Sequence, residues 1–253
     1  ERMSNTASML EEELADITES SSKVMRPTNA AEHRIKEWQD APPIENEAEL
    51  MEPLRIMYDS LVETGFELVA DGFLSDIMRR VTVFGLSLLP LDIREESTKH
   101  TEALDAVTRW LGIGSYKEWD ENARLNWLTS ELGSKRPLFR EIDTLGFDAG
   151  VVKTLRTFAS VAKLHPSSLG AYVISQAQSA SDVLAVMLLQ KQFGMTLESK
   201  NLMRVVPLFE TLNDLTNAPQ VLQTLFSIPV YVGKTRNKQE VMVGYSDSAK
   251  DAG

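Results

Sequence analysis

Apolar positions follow two rhythms along this chain. Over residues 47–64, Leu50, Leu54, Met57, Tyr58 and Leu61 fall at the three- and four-residue spacing of an amphipathic helix. The helical pattern resumes over 66–80, interrupted only at Gly72. Downstream, short apolar runs alternate with helical stretches. Strands are expected at 87–93, 171–175, 204–209 and 240–243, each nearly continuous in apolar residues. Helices are expected at 97–111, closed by Gly112; at 120–132, closed by Gly133; at 148–164; at 182–193, capped by Ser181 and closed by Gly194; and from near Pro219 to 226. A further helix starts after the last strand.

Strands without inside-outside alternation, each followed by helix, imply a parallel sheet covered on both faces. A doubly wound sheet and a closed barrel both fit that pattern. The charges favour the barrel: Arg94, Glu210 and Asp247 follow the apolar cores of three strands, and such positions converge on one mouth of a barrel. The expected fold is α/β, a partial (β/α)8 TIM-type barrel of about four βα units with many additional helices. Residues 1–45 read as a polar, helical lead-in to the barrel domain at 46–253. Within it a short acidic helix is expected at 7–17, a polar break at 20–28, and a second short helix ending at Ala41-Pro42-Pro43. The first residue is Glu1 rather than Met, and the last falls just after the final strand turns toward helix, so a piece of something longer is expected.

Composition narrows the function. Lys plus Arg number 26 against 37 Asp plus Glu, a formal charge of −11, which disfavours nucleic acid or an anionic membrane as partner. The most apolar stretch, 81–91, contains Gly85 and Pro90 and is shorter than the ~20 residues of a membrane span. The absence of cysteine excludes disulfides, thiolate metal sites and cysteine nucleophiles, and fits a cytoplasmic setting. No signal peptide, phosphate-binding glycine loop, dinucleotide fingerprint or Ser-His-Asp arrangement can be read.

Two carboxylates, Glu210 and Asp247, at neighbouring strand ends repel unless a cation lies between them, and a hard divalent ion such as Mg²⁺ or Mn²⁺ suits their oxygens. Singly, each is as well explained as a helix cap or a partner of a surface lysine. Arg94 could hold a phosphate or carboxylate bidentately, or simply pair with Asp92 or Glu96. Lys250, with Ser246 and Ser248, suits an anion near a helix start, and is otherwise a solvated lysine. His100 reads as solvent-facing or as a neighbour of the site, His165 as structural.

Seven stretches carry a resemblance: Leu91-Asp92-Ile93-Arg94-Glu95-Glu96-Ser97, Leu111-Gly112-Ile113-Gly114, Ser134-Lys135-Arg136-Pro137-Leu138, Ala171-Tyr172-Val173-Ile174-Ser175, Ser181-Asp182-Val183-Leu184-Ala185-Val186, Pro207-Leu208-Phe209-Glu210-Thr211-Leu212, and the run from Gly244-Tyr245-Ser246-Asp247 through Ser248-Ala249-Lys250-Asp251-Ala252-Gly253. In this order and spacing the chain resembles phosphoenolpyruvate carboxylase from about Gly65 onward. The resemblance implies carboxylation of phosphoenolpyruvate with bicarbonate to oxaloacetate and phosphate, on a barrel of which this stretch supplies about half the strands. It implies Glu210 and Asp247 as ligands of Mg²⁺ or Mn²⁺, and Arg94 and Lys250 as catalytic and substrate-binding residues. It also implies a homotetramer in the full-length enzyme. The family's catalytic His-Pro motif is not matched, since His165-Pro166 sits in the wrong segment, and its later histidine, with an Arg- and Gly-rich loop, is not reached. Glu95 stands where the family usually has glutamine. On this reading the chain alone is inactive and its half barrel has open edges. A non-catalytic relative that assembles with full-length subunits is the alternative.

Overall fold

The computed structural model describes residues 44–196, 201–236 and 238–252. The lead-in elements expected before residue 44, and His33, lie outside them. The chain divides into two compact units, with the boundary between Leu86 and Ser87. Among the described residues no helix is long and apolar enough to cross a membrane.

The first unit is helical. Helix α1 (Glu47–Glu63) starts at Asn46, whose side chain accepts the Glu49 N–H at 3.1 Å. A short turn, Glu67–Val69, and a wider one, Ala70–Leu74, lead into α2 (Ser75–Phe84). Gly72 breaks the helix where expected, at φ −84° and ψ −128°. Met51, Leu54 and Val81 form its small buried core.

The second unit runs β1 (Leu91–Glu96), α3 (Ser97–Trp110), α4 (Glu121–Gly133), α5 (Ala149–Val161), β2 (Leu169–Ser175), α6 (Ala180–Gln192), β3 (Arg204–Phe209), α7 (Leu212–Phe226), α8 (Pro229–Thr235), β4 (Met242–Val243) and α9 (Tyr245–Ala252). The four strands form one sheet in the order β1-β2-β3-β4, every neighbouring pair parallel. The expectation of a parallel α/β sheet with helical crossovers holds.

Alternation within the strands divides the sheet's two faces. Tyr172, Ile174, Val205 and Phe209 join the main core, packing with Leu104, Val107, Leu128, Leu155, Phe158 and the wholly buried Val183–Leu189 stretch of α6. Ala171, Val173, Val206 and Leu208, with Met242, form a separate buried cluster. Each fully buried aliphatic or phenyl side chain contributes about 1.5–3 kcal/mol. The main core therefore dominates the unit's stability.

Several boundaries differ from expectation for identifiable reasons. The first strand begins at Leu91 rather than 87, directly after Pro90, which has no N–H to give a ladder. Its register against β2 is irregular between Leu91 and Ile93, and there the Asp92 carboxylate accepts the Ala171 N–H at 2.6 Å. Ser181 does not cap α6. Its N–H and hydroxyl both go to the Glu121 carboxylate on α4, at 2.9 and 2.6 Å, so the cap falls to Ser179. Asp182 accepts the N–H groups of Gln178 and Ser179 at 3.0 Å. Helix α7 starts at Thr211–Leu212 and carries Pro219 inside it. The expected stop at Gly112 holds, with φ +72° and its N–H on the Arg109 carbonyl at 3.0 Å.

Helix α5 gives a direct test of capping. The Asp148 side chain accepts the N–H groups of Gly150 and Val151 at 2.9 and 3.0 Å. Asp148→Ala should lower stability by about 1 kcal/mol. Urea unfolding should show a lower midpoint at unchanged slope.

Candidate active site

The C-terminal ends of β1, β3 and β4 bring together residues far apart in sequence. Arg94 lies within β1 rather than after it, and its register partner on β2 is Val173, whose partner on β3 is Val206. Register partners in parallel strands stand on one face, the face of the Val173–Val206–Leu208 cluster. From that face the Arg94 guanidinium reaches past β2 to the Glu210 carboxylate, at 3.0 Å. Neither Asp92 nor Glu96 takes it; Asp92 is held by Ala171. Glu210 immediately follows β3 and its side chain is 17% exposed, against 55% for Arg94.

Glu210 sits at a heavily capped turn. Asp214, itself buried, accepts the N–H of Thr211 at 3.0 Å and faces that of Glu210 at 3.4 Å, while the Thr211 hydroxyl accepts the Asp214 N–H at 3.1 Å. These bonds settle where β3 ends and α7 begins, so the direction in which Glu210 leaves the sheet is set by backbone geometry.

Asp247 does not directly follow a strand end. It lies in the first turn of α9, beyond β4. That helix is seated on the Glu210 turn by Ser248, whose hydroxyl donates to the Glu210 carbonyl at 2.7 Å, and by Gly244, whose N–H donates to the Phe209 carbonyl at 3.0 Å. A Cβ on Gly244 would lie 3.3 Å from the Glu210 Cγ, so the close approach favours glycine. Lys250 is in the last turn of α9, 78% exposed, with its Nζ 3.8 Å from the Asp247 carboxylate. Arg94 and Glu210 are thus in contact, Asp247 and Lys250 form a second pair, and the docking of α9 on the Glu210 turn joins the two.

His100 is neither solvent-facing nor at this mouth. It is wholly buried, with its Nε2 2.9 Å from the Tyr172 hydroxyl and its ring against Phe158 and Tyr172. Burial lowers its pKa to about 3 and raises that of Tyr172. His165 caps the turn at Pro166–Ser168 by accepting from the Ser167 N–H, the structural role expected of it.

The donor set suits a hard cation. Among the described residues no three Asp, Glu or His side chains form a ready-made metal cage. Mg²⁺ and Mn²⁺ sites commonly use one or two carboxylates and leave the remaining positions to water and substrate oxygens. Glu210 offers one oxygen to Arg94 and, among the described residues, has the other without a hydrogen bond; Asp247 is half-exposed. The two carboxylates, on backbone segments bonded to each other, fit such an ion.

The sequence profile of the family described as phosphoenolpyruvate carboxylase matches residues 2–253. Phosphoenolpyruvate carboxylase 2 of Arabidopsis thaliana is 51% identical over 205 residues, covering 81% of this chain and 21% of the relative. Phosphoenolpyruvate carboxylase 2 of Sorghum bicolor is 52% identical over 205 residues, with the same coverage of 81% and 21%. The C4 phosphoenolpyruvate carboxylase of Flaveria trinervia is 51% identical over 208 residues, covering 82% of this chain and 21% of the relative. The chain spans about a fifth of the length of the curated relatives it matches.

Proposed function

Because the chain belongs to the phosphoenolpyruvate carboxylase family, we propose that it carries the cation-binding and part of the anion-binding machinery for carboxylating phosphoenolpyruvate with bicarbonate. The observation that carries this reading is the docking of the Asp247 helix on the Glu210 turn, with Arg94 already on the Glu210 carboxylate. In the overall reaction a bicarbonate oxygen attacks phosphorus and the phosphorus–enol oxygen bond breaks. Carboxyphosphate and the enolate of pyruvate result; carboxyphosphate releases carbon dioxide and phosphate, and the enolate carbon adds to the carbon dioxide.

Glu210 and Asp247 would hold Mg²⁺ or Mn²⁺, which when bound supplies compensation for negative charge on an enolate oxygen. Arg94 presents a planar array of donors that can grip a phosphate or carboxylate through two oxygens. Lys250 adds a mobile positive charge at the same mouth. Both cations stabilise the charge that migrates from phosphoryl ester to enolate and phosphate. In a chain of formal charge −11 these two side chains are the local attraction for an anionic substrate.

A (β/α)8 barrel is the architecture of this proposal. The strand order β1-β2-β3-β4, without the reversal that marks a doubly wound sheet, supports it. The exposed flanks of the sheet, with Leu91 63% and Val243 61% exposed, are compatible with further strands on either side. Cytoplasmic location and a homotetramer belong to the family reading.

The test is a malate dehydrogenase-coupled assay of bicarbonate-dependent oxaloacetate formation. A full-length protein containing this segment should be active with Mg²⁺ or Mn²⁺, and the 253-residue chain alone should give no detectable product. A well-folded but inactive full-length protein would favour the alternative of a non-catalytic assembly partner. Turnover by the isolated chain would show that its own residues suffice.

A further inference from the structure

We propose that Asp251 is a positioning residue which, together with Ser248, locks the helix bearing Asp247 to the strand end bearing Glu210, and so sets the spacing on which divalent-cation affinity depends. The inference rests on the reading of Glu210 and Asp247 as cation ligands and adds to it a residue that the site's own chemistry does not require. The Asp251 carboxylate accepts the N–H of Leu212 at 2.8 Å. Leu212 is the first residue of α7, two positions after Glu210. Its N–H is among those left without an intrahelical partner at a helix start. Thr211 and Asp214 already serve the neighbouring N–H groups, so Asp251 completes from another helix a cap that α7 does not complete by itself.

Taken together, the contacts bracket Asp247. Before it, Gly244 donates to Phe209; directly after it, Ser248 donates to the Glu210 carbonyl; one turn further on, Asp251 holds Leu212. Little else fixes this helix. Strand β4 has two residues, and none of the described side chains of α9 is in the main core. The relative placement of two carboxylates on separate backbones is therefore maintained by hydrogen bonds of Ser248 and Asp251. A cation that uses both carboxylates gains affinity when they are held apart at a set distance before it arrives.

The experiment is Mn²⁺ titration of a purified full-length protein containing this segment, with free Mn²⁺ followed by electron paramagnetic resonance and folding by circular dichroism. Asp251→Ala should weaken Mn²⁺ binding about 10- to 100-fold, the usual effect of losing a group that orients a ligand, with a melting temperature lowered no more than by the loss of one helix cap. Asp251→Asn keeps an oxygen that can accept the Leu212 N–H and should bind close to wild type. Ser248→Ala should shift affinity in the same direction as Asp251→Ala. Wild-type affinity in Asp251→Ala would overturn the proposal, as would Asp251→Asn binding as weakly as Asp251→Ala, since charge rather than position would then be at work. No Mn²⁺ binding by the wild type, or binding indifferent to Glu210→Ala and Asp247→Ala, would remove the cation reading and this inference with it.

Discussion

Glu210→Ala in a full-length protein carrying this segment should reduce oxaloacetate formation at least about 100-fold, with Asp247→Ala doing the same. The size follows from what each side chain offers: an anionic oxygen toward a hard cation, for which water is a poor replacement. Removing Glu210 has a second consequence, because it also releases the Arg94 guanidinium that lies 3.0 Å away. Glu210→Gln separates the two effects. The amide oxygen can still accept from Arg94 but carries no charge, so this variant should be nearly as impaired as Glu210→Ala if cation binding is what matters. The double variant should be little worse than either single one, since residues acting as one unit do not add. Raising Mn²⁺ should restore part of the rate in the single variants. Near-normal activity in a folded Glu210→Ala protein would rule out the assignment.

The second large effect concerns stability rather than catalysis. His100 is buried among Phe158 and Tyr172, and burial alone lowers its pKa from 6.5 to about 3. The folded protein therefore holds it neutral, while the unfolded chain takes up a proton near pH 6.5. Its contribution is fully present above pH 6.5 and is lost as pH falls toward 3, at about 1.4 kcal/mol per pH unit. Other groups titrate in the same range, so the measurement is a comparison. His100→Leu combined with Tyr172→Phe removes both hydrogen-bonding partners at once and avoids stranding either. Urea unfolding from pH 7 to 4 should show wild-type stability falling faster than that of the double variant by about this slope. Parallel pH profiles would mean that His100 is solvated in the folded state.

Much of the scaffold was legible in the pattern of residues. Strand β3 and helix α4 follow from apolar periodicity, which acts over a few residues, with Asp120 serving as the cap rather than the first helical residue. The errors arose where two local rules competed. Pro219 is a good first-turn residue, but Thr211 and Asp214 make a cap earlier, and a proline is tolerated within α7. Ser181 has the right side chain for a cap and is used instead by Glu121, 60 residues away in sequence. The short helix α8, between Ile228 and Arg236, has too few turns for apolar periodicity to reveal.

The site shows the same division. Glu210 and Asp247 stand out in the sequence as carboxylates placed after apolar runs, and the structure brings their backbone segments together. The Arg94–Glu210 pair does not stand out there, because 116 residues separate its members and nearer acids look equally suitable. That His100 is buried rather than solvent-facing is not legible for a related reason: helical periodicity does not show that the opposite strand offers a tyrosine hydroxyl deep in the core. Asp251, beside the more conspicuous Lys250, is an acid whose carboxylate accepts from the first N–H of another helix, a partner that sequence spacing alone does not indicate.

The shortness of β4 has a further consequence. Among the described residues the main core is built from β1, β2, β3 and helices α3 to α8, and the two-residue β4 adds little to it. Local unfolding free energies in such an arrangement are graded, lowest at the thin margin and highest at the centre. Glu210 follows a strand seated in the main core, whereas Asp247 is tied to it by the Ser248 and Asp251 hydrogen bonds. Any ion bridging the two carboxylates would be a clasp across that gradient, protecting from exchange and proteolysis the part of the chain that the core itself leaves least defended.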